Sequence, residues 1–402
     1  MSSGNASRQI PGDANQVVLS PRGVNRVRNG HPWVYRSDIV SADGVLPGAL
    51  AAVHEASGKF LGTALYSSSS QIAVRMLTSE VLAAEQWGAV LRRRIGEAIE
   101  LRQRVIRDTD AYRLVFSEAD FLPGLIIDRY NDVLSLQILT QAMDGELARQ
   151  AMVEELVERL APAGIVERVD QHIRELEQLP ARASGLLYGA KSETEFSMNG
   201  IRFRYDALSG QKTGAFLDQR ENYAAAAQYA RGDALDVFCY QGGFALHLAA
   251  VCDSVIGVDA SRAALEVAEK NAALNGRDLE WMEANAFDLL KDYSSAGRQF
   301  DTIVLDPPAF AKTKRALPGA LRGYKELNLR ALKMLRPNGL LVTCSCSYHV
   351  SEGEFLEMLA SAALDAGRQL RVVERRSQSK DHPILLTVPE TQYLKCVLAM
   401  VR

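Results

Sequence analysis

The pattern of apolar and polar residues divides the 402-residue chain into three stretches of different character. Between residues 17 and 77, short apolar runs alternate with turn residues, which predicts a small β domain. From residue 80 onwards, a helical apolar pattern is followed by strands and by a helix around residues 146–160, which predicts an α/β middle domain. The remaining stretch alternates strands with helices, as in a doubly wound parallel sheet. We therefore expect three domains, at residues 1–80, 81–195 and 196–402.

The third stretch is organised around a strand that passes through glycines into a helix. Residues 235–238 predict a buried strand, Gly242 and Gly243 follow, and apolar residues then recur at helical spacing. Such a turn brings the backbone close to a ligand at the helix N-terminus. A second predicted strand ends in Asp259, at the spacing where a carboxylate can bind both hydroxyls of a ribose. This predicts a nucleoside cofactor, and the absence of a G-x-G-x-x-G motif argues against a nicotinamide dinucleotide.

A further predicted strand, residues 300–305, is followed by the sequence Asp306-Pro307-Pro308-Ala309-Phe310. Prolines stiffen the backbone and remove N–H donors, so a flat base can lie against carbonyl groups and an aromatic ring. An acidic residue with this continuation resembles S-adenosylmethionine-dependent methyltransferases that act on nucleobases. The alternative is a nucleotide-binding Rossmann-like domain without methyl transfer.

The next strand delivers Cys344-Ser345-Cys346-Ser347 to the same edge of the sheet. Methylation of carbon 5 of a pyrimidine requires a thiolate that adds to carbon 6 and an acid near N3. Cys346 and Asp306 can supply that pair, and Lys212 or Arg220 can lower the pKa of the thiol. Alternation along the extended chain places Cys344 and Cys346 on the same side, so periodicity does not choose between them. Both cysteines can also be small buried residues.

The net charge of the chain is −3, so any surface that binds nucleic acid must be a local cluster of cations. Residues 1–36 interleave five arginines with His31, Trp33 and Tyr35, which suits contact with RNA, although Trp33 alone fits a core position better. Five cations occur in residues 311–325, which we expect to form a mobile loop that closes on RNA phosphates. The cations of both segments are Arg8, Arg22, Arg26, Arg28, Arg36, Lys312, Lys314, Arg315, Arg322 and Lys325.

Three further features bound the class of protein. The five cysteines have neither metal-ligand nor secreted spacing, so we expect a reducing cytoplasm and no metal. No apolar run reaches membrane-spanning length and the first 15 residues have no signal-peptide core, so we expect no membrane partner. Four charged residues surround a Pro-Gly turn in the middle domain, which favours a salt-linked corner over a catalytic site. They are Glu118, Asp120, Asp128 and Arg129.

The order and spacing of nine short motifs carry a specific resemblance over residues 17–402. They are Tyr112-Arg113-Leu114-Val115, Ser117-Glu118-Ala119-Asp120, Pro123-Gly124-Leu125, Lys212-Thr213-Gly214, Phe216-Leu217-Asp218-Gln219-Arg220, Asp306-Pro307-Pro308-Ala309-Phe310, Ser345-Cys346-Ser347, Asp381-His382-Pro383 and Pro389-Glu390-Thr391. The chain resembles the bacterial 23S ribosomal RNA cytosine-5 methyltransferases of the RlmI type. The resemblance implies a PUA domain (a small RNA-binding β-barrel), a middle domain and a Rossmann-like class I methyltransferase domain.

The resemblance also implies S-adenosylmethionine as cofactor, ribosomal RNA as partner and Cys346 as nucleophile, and it is the only ground for a homodimer. Lys212, Asp218 and Arg220 precede the first strand of the third stretch, where they can cover the methionine end of the cofactor or face RNA. We expect the cofactor to be bound by Asp236, Phe238, Tyr240, Gly242, Gly243, Asp259, Asn285, Asp306, Lys212 and Asp218.

Two positions depart from the family pattern. Asn285 stands where an acid usually reads the amino group of adenine, although an Asn carbonyl can accept the same hydrogen bond. Tyr223 stands where we expect a basic residue, which puts one RNA contact in doubt. Two other functions stay open: methylation of a purine or an exocyclic amine without a thiol, and a non-catalytic RNA-binding or ribosome assembly factor.

Overall fold

The computed structural model describes residues 15–208, 215–311 and 313–402, which form two compact units. The first unit comprises the chain up to residue 105 with residues 113–192 and 383–389. The second unit comprises residues 106–112, 193–382 and 390–402. The boundaries of the three domains expected from the sequence stay a proposal.

The first unit begins with a six-stranded sheet and one short helix. The elements are β1 Gln16–Leu19, α1 Pro21–Arg28, β2 Trp33–Tyr35, β3 Ile39–Ser41, β4 Leu50–Glu55, β5 Phe60–Tyr66 and β6 Ile72–Thr78. Their order in the sheet is β2-β6-β5-β4-β1-β3. Helix α1 begins at Pro21 because the Ser20 hydroxyl accepts a hydrogen bond from the N–H of Gly23. Val17, Val34 and Val53 are fully buried in its core, which confirms the predicted β domain.

A second sheet of the first unit mixes parallel and antiparallel strands. The elements are α2 Trp87–Val105, β7 Ala111–Phe116, β8 Leu125–Tyr130, β9 Val133–Ile138, α3 Glu146–Leu160, β10 Gly164–Glu167, α4 Gln171–Leu176 and β11 Gly185–Gly189. The order is β11-β10-β9-β8-β7, and only β9 and β10 pair in parallel among the pairings described. The predicted α/β character of this stretch is confirmed.

The charged residues around the Pro-Gly turn form ion pairs inside this unit. The fully buried Arg102 binds both carboxylate oxygens of Asp120, and Asp120 also accepts the N–H of Phe116. Asp128 accepts two hydrogen bonds from Arg113, at 2.6 and 3.1 Å. The interpretation as a salt-linked corner is confirmed.

Most of the basic residues near the N-terminus are engaged within the first unit. Arg22 and Arg26 lie 3.1 and 3.7 Å from Asp38, and Arg28 lies 2.5 Å from Glu55. Trp33 is half-buried, and its indole N–H donates to Glu118 at 2.9 Å. The ring is therefore only partly enclosed in the core. Arg8 lies outside the described residues. The expected RNA surface therefore carries much less uncompensated charge than its composition suggests.

The second unit contains a hairpin and a seven-stranded sheet with helices between its strands. The hairpin consists of β12 Glu193–Met198 and β13 Ile201–Asp206. The next elements along the chain are α5 Arg220–Tyr229, β14 Asp233–Val237, α6 Gly243–Leu248, β15 Ser254–Asp259 and α7 Arg262–Leu274. The rest are β16 Glu280–Glu283, α8 Ala286–Ser295, β17 Phe300–Leu305, α9 Leu317–Met334, β18 Leu335–Ser345, α10 Glu352–Asp365, β19 Leu370–Arg376 and β20 Lys395–Val401.

The order of this sheet is β16-β15-β14-β17-β18-β20-β19. Strands β14 to β18 pair in parallel, whereas β20 runs antiparallel to both of its neighbours. The order reverses between β14 and β17, and open α/β sheets bind ligands at the carboxyl ends of the strands at such a point. The predicted doubly wound fold is confirmed.

The prediction of a mobile loop before α9 is wrong. The expected mobile loop at residues 311–325 is largely helical, because α9 begins at Leu317 and accommodates Pro318 in its first turn. Arg322 and Lys325 therefore lie on a helix, Lys325 pairs with Asp365 at 2.7 Å, and Lys312 lies outside the described residues. The helix ends at Met334, where the chain enters β18 at Leu335.

Within the described residues, no helix has both the length and the apolar character that are needed to cross a bilayer.

Replacing Asp120 by Asn should leave the buried guanidinium of Arg102 without its counter-charge. We expect the free energy of unfolding to fall by about 3–5 kcal/mol, as for other broken buried ion pairs. Urea unfolding followed by circular dichroism measures this loss. The exposed pair of Arg93 and Glu97, at 3.9 Å, provides the control, and Glu97→Gln should cost less than about 1 kcal/mol. Equal losses in both variants would contradict the assignment.

Candidate functional site

Five of the expected site residues lie at or just beyond the carboxyl ends of neighbouring strands in the second unit. Phe238 follows β14, Asp259 ends β15, Asp306 follows β17 and Cys346 follows β18. Asn285 lies two residues beyond β16. Val237 pairs with Leu305, and Leu305 pairs with Thr343, so these strand ends lie level with one another. The fold therefore brings together, at one edge, residues that are more than 100 positions apart in the sequence.

The loop after β14 has an unusual backbone. Phe238, Tyr240 and Gly242 have positive φ angles of 69°, 49° and 88°. This conformation is free for glycine but costs a side-chain-bearing residue about 1 kcal/mol or more. The N–H groups of Phe238 and Cys239 both donate to the carbonyl of Val258, at 2.8 and 3.0 Å, which holds the loop against β15.

Gly243 is required for a reason that the sequence pattern does not show. A Cβ atom at this position would lie 2.5 Å from the ring of Tyr223. Tyr223 is itself buried, stacks edge-on against Phe244 and donates its hydroxyl hydrogen to the carbonyl of Phe216 at 3.2 Å. Tyr223 is therefore a packing residue beneath the loop rather than a replacement for an RNA-contacting cation.

Asp236 lies beneath the same loop and is fully buried. One carboxylate oxygen accepts the N–H of Ala245 in the first turn of α6, at 2.8 Å. The other oxygen has no hydrogen-bond partner in the described part of the chain. Burial, together with the charge of Asp306, raises the pKa of Asp236 well above its usual range. Asp236 therefore holds the first turn of α6 in place beneath the loop.

Asp259 and Asn285 use their side chains to shape the edge. The carboxylate of Asp259 accepts the N–H groups of Tyr240 and Ser261, each at 2.9 Å, so it is fixed in orientation and each oxygen retains a second lone pair. The carbonyl oxygen of Asn285 caps α8 by accepting the N–H groups of Phe287 and Asp288. These two hydrogen bonds engage the carbonyl that we expected to accept from adenine, and the contact of Asn285 with the cofactor stays a prediction.

Aromatic rings line a cleft beside this loop. Its walls include Phe216, Tyr223, Phe238, Tyr240 and Phe244, together with Asp306. The rings of Phe216 and Tyr240 lie 5.0 Å apart. Carboxylates for ribose hydroxyls and rings for a base together fit a nucleoside. Lys212, which we expected to cover the cofactor, lies outside the described residues.

Asp306 is held close to a second carboxylate. Burial and the neighbouring charge of Asp218 raise the pKa of Asp306 to about 7, although a hydrogen bond from Gln219 opposes them. Asp218 accepts a hydrogen bond from the hydroxyl of Tyr393 at 2.6 Å. A carboxyl group with this pKa is present in both protonation states near neutral pH, which suits a general acid or base.

The two candidate cysteines have different surroundings. Cys344 is fully buried inside β18 and lies opposite Cys396 of β20. Cys346 follows the last residue of the strand, is half-buried, and its Sγ lies 3.9 Å from the carbonyl oxygen of Pro307. The strand end therefore separates two residues that alternation alone leaves equivalent.

The serines on either side of Cys346 are anchored in the core by a residue that the sequence did not indicate. The Ser345 hydroxyl donates to the hydroxyl of Tyr324 at 3.0 Å, and the hydroxyls of Tyr324 and Ser347 lie 2.9 Å apart. The Ser347 hydroxyl also accepts the N–H of Ala311, at 3.1 Å. Because Ser345 and Ser347 are held on one side, the intervening Cys346 is fixed in orientation.

Lys395, which sequence reasoning missed, is a cation that contacts this segment. Its Nζ donates to the carbonyls of Ser347 and Tyr393, at 2.6 and 2.8 Å. Burial lowers the pKa of Lys395 to about 8. Burial and the carboxylates of Asp306 and Asp218 raise the pKa of Cys346 to about 12, while Lys395 acts in the opposite direction.

Arg220, by contrast, does not activate the thiol as expected. Its guanidinium is buried and binds Asp381 at 2.9 Å. In the sequence, the role of Lys395 is indicated only by its position at the start of an apolar strand, and many surface lysines share that position.

Comparison with known proteins agrees with this geometry. Residues 17–79 match a family described as a PUA-like domain, and residues 119–398 match a family described as S-adenosylmethionine-dependent methyltransferase. A ribosomal RNA large subunit methyltransferase I from Shewanella denitrificans is 40% identical over 402 residues, which covers 96% of this chain and 100% of the relative. The protein of the same name from Tolumonas auensis is 40% identical over 379 residues, which covers 91% of this chain and 94% of the relative.

Solved structures show the same fold at low sequence identity. An S-adenosylmethionine-dependent methyltransferase from Streptococcus mutans superposes with a TM-score of 0.80 at 18% identity, covering 96% of this chain and 100% of that chain. A methyltransferase in complex with SAH superposes with a TM-score of 0.82, also at 18% identity and with the same coverage.

Replacing Asp259 by Ala should weaken binding of S-adenosylmethionine by about 2–4 kcal/mol, because charge-assisted hydrogen bonds to ribose hydroxyls are lost. Titration calorimetry measures this change, and circular dichroism checks that the variant is folded. The exposed Asp278, in the turn before β16, provides the control. Unchanged affinity in Asp259→Ala, or tighter binding of NAD than of S-adenosylmethionine by the wild type, would contradict the assignment.

The raised pKa of Asp306 makes stability depend on pH. An aspartate in an unfolded chain has a pKa of about 3.9, against about 7 here, so the folded wild type binds this proton more tightly. Stability is therefore lost as the pH rises from about 4 to about 7. Asp306→Asn, which cannot ionise, should be more stable than the wild type at pH 8 and gain nothing below pH 4. Urea midpoints at both values test this, and an equal difference at both would show that the pKa is not raised.

Proposed function

We propose that this chain methylates carbon 5 of a cytosine in large-subunit (23S) ribosomal RNA. The premise is its family: the chain belongs to the S-adenosylmethionine-dependent methyltransferases and, within them, to the ribosomal RNA large subunit methyltransferases I. One observation supports this choice of atom and base. The half-buried Cys346 lies beside the Asp-Pro-Pro segment, with its Sγ 3.9 Å from the Pro307 carbonyl and next to the titratable Asp306.

The proposed catalytic residues are Cys346 and Asp306. The Cys346 thiol gives up its proton to the Asp306 carboxylate as its sulfur forms a bond to carbon 6 of the cytosine. The electron pair of the ring double bond shifts, and protonated Asp306 donates a hydrogen to N3, so carbon 5 becomes nucleophilic. S-adenosylmethionine supplies the methyl group as an electrophile on its sulfonium. The Asp306 carboxylate then takes up the proton from carbon 5. The bond between Cys346 and carbon 6 breaks as the proton on N3 returns to the departing thiolate, which releases the methylated base.

Positioning of these groups falls to three further residues. Tyr324 fixes the serines on both sides of Cys346, and Lys395 binds the carbonyl of Ser347. Tyr393 links this lysine to the carboxylate of Asp218, since its carbonyl accepts from Lys395 and its hydroxyl donates to Asp218. The proposed cofactor-binding residues are those expected from the sequence, with Asp236 acting through the first turn of α6.

Two finer assignments are also proposals. We place the protein in the cytoplasm, where ribosomal RNA of bacteria is modified. Homodimerisation rests on the resemblance alone, and sedimentation of the purified protein tests it.

The proposed function predicts the presence of 5-methylcytosine at one position of the large-subunit RNA. Mass spectrometry of nucleosides from cells with and without the gene should show this modification only when the gene is present. If cells without the gene instead lose a methylated purine, the result would favour methylation of a purine without a thiol nucleophile. An unchanged nucleoside profile would favour a non-catalytic assembly factor.

The two cysteines should respond differently to substitution. Cys346→Ala should lower kcat by about a thousandfold or more, because the adduct at carbon 6 cannot form, while binding of S-adenosylmethionine stays intact. Cys344→Ala is the matched control and should stay within a few-fold of the wild type, with a small loss of stability from the cavity. Methyl incorporation into unmodified ribosomal RNA measures both. If both variants stay active, no thiol adduct forms.

A further inference from the structure

A polar cavity of about 440 Å³ lies next to the nucleophile, away from the loops expected to bind the cofactor. Its lining includes Tyr348, Ser351, Glu352, Arg375, Gln392 and Lys395. The cavity is therefore formed by the segment after β18, the start of α10, the end of β19 and the start of β20. None of these residues has a place in the reaction proposed above except Lys395.

The register of the sheet places this cavity at the catalytic edge. Ser345 pairs with Lys395, and Arg376 pairs with Cys396, so the last residues of β19 lie level with the last residues of β18. Tyr348 follows Cys346 by two positions, and Lys395 donates to the carbonyl of Ser347 between them. The cavity and the thiol thus share one short segment of backbone.

The charge of the cavity is positive and only partly compensated. Arg376 is engaged with Asn222 and Glu374, at 2.8 and 2.5 Å. Lys395 donates to two backbone carbonyls, which do not cancel its charge. Arg375 lies 3.8 Å from Glu352, and both side chains are at least half exposed, so this ion pair contributes little and can give way to a stronger anion.

A flipped target base needs its flanking backbone held beside the active site. The cavity offers a guanidinium for a phosphate and, in Tyr348, a ring that is 44% exposed and suits stacking on a base or sugar. On the basis of the proposed function, we propose that this cavity binds the RNA phosphodiester that adjoins the target cytidine. Arg375 is the principal positive charge of the cavity. The loops after β14 and β15, which carry most of the residues expected to bind the cofactor, lie on the other side of β18 from β20 and β19, which favours RNA over the cofactor as the occupant.

The test compares Arg375→Gln with Arg371→Gln, an exposed arginine on the same strand that does not line the cavity. Arg375→Gln should lower kcat/KM for a ribosomal RNA fragment about threefold to tenfold at low salt. It should also reduce the slope of log affinity against log salt by about 0.7–0.9, as expected for one lost phosphate contact. Arg371→Gln should change neither quantity, and S-adenosylmethionine should bind both variants as it binds the wild type.

The outcomes separate this inference from the function on which it rests. If the wild type forms 5-methylcytosine and Arg375→Gln matches Arg371→Gln in both quantities, the cavity does not hold the RNA and the proposed reaction stands. If the wild type methylates a different base, the reaction is wrong, and a reduced salt slope in Arg375→Gln alone still shows a phosphate contact. A weakened affinity for S-adenosylmethionine in Arg375→Gln would assign the cavity to the cofactor instead.

Discussion

Val237, Leu305 and Thr343 lie level with one another in the parallel ladder of β14, β17 and β18, so the loops after these strands leave the sheet at one edge. The nucleoside cleft, the Asp-Pro-Pro segment and the candidate nucleophile depend on this register. The ladder continues through antiparallel β20 to β19, which adds Lys395 and Arg375 to the same edge. The sheet therefore sets the relative positions of groups that no local motif connects.

Burial decides the chemistry of the groups at this edge. It raises the pKa of Cys346 to about 12 and that of Asp306 to about 7, and it lowers that of Lys395 to about 8. Each shift favours the uncharged form, so the resting thiol keeps its proton near neutral pH. Addition to a base then needs proton transfer at the same time, and Asp306 is the neighbouring group with a suitable pKa. A protonated thiol is also less reactive towards oxidants while no RNA is bound.

Sequence reasoning succeeded where a short segment determines its own structure. The strands before Asp259, Asp306 and Cys346 could be predicted because apolar runs end in turn residues, and the sheet edge then follows from parallel topology. The choice between Cys344 and Cys346 could not be made locally, since it depends on where the ladder with β20 stops. Tyr324 and Lys395 were missed because each contacts Ser347 only through the fold. The same limit explains Arg220, whose partner Asp381 is 161 positions away.

The central claim is that the Sγ of Cys346 forms a bond to carbon 6 of a cytosine during methyl transfer. Ribosomal RNA that carries 5-fluorocytosine at the target position tests it most directly, because fluorine cannot leave as a proton and the adduct accumulates. After incubation with S-adenosylmethionine, digestion and tandem mass spectrometry should find the methylated nucleotide attached to the peptide that contains Cys346, at Cys346 itself. Attachment at Cys344, or no covalent complex under conditions where normal RNA is methylated at carbon 5, would contradict the account.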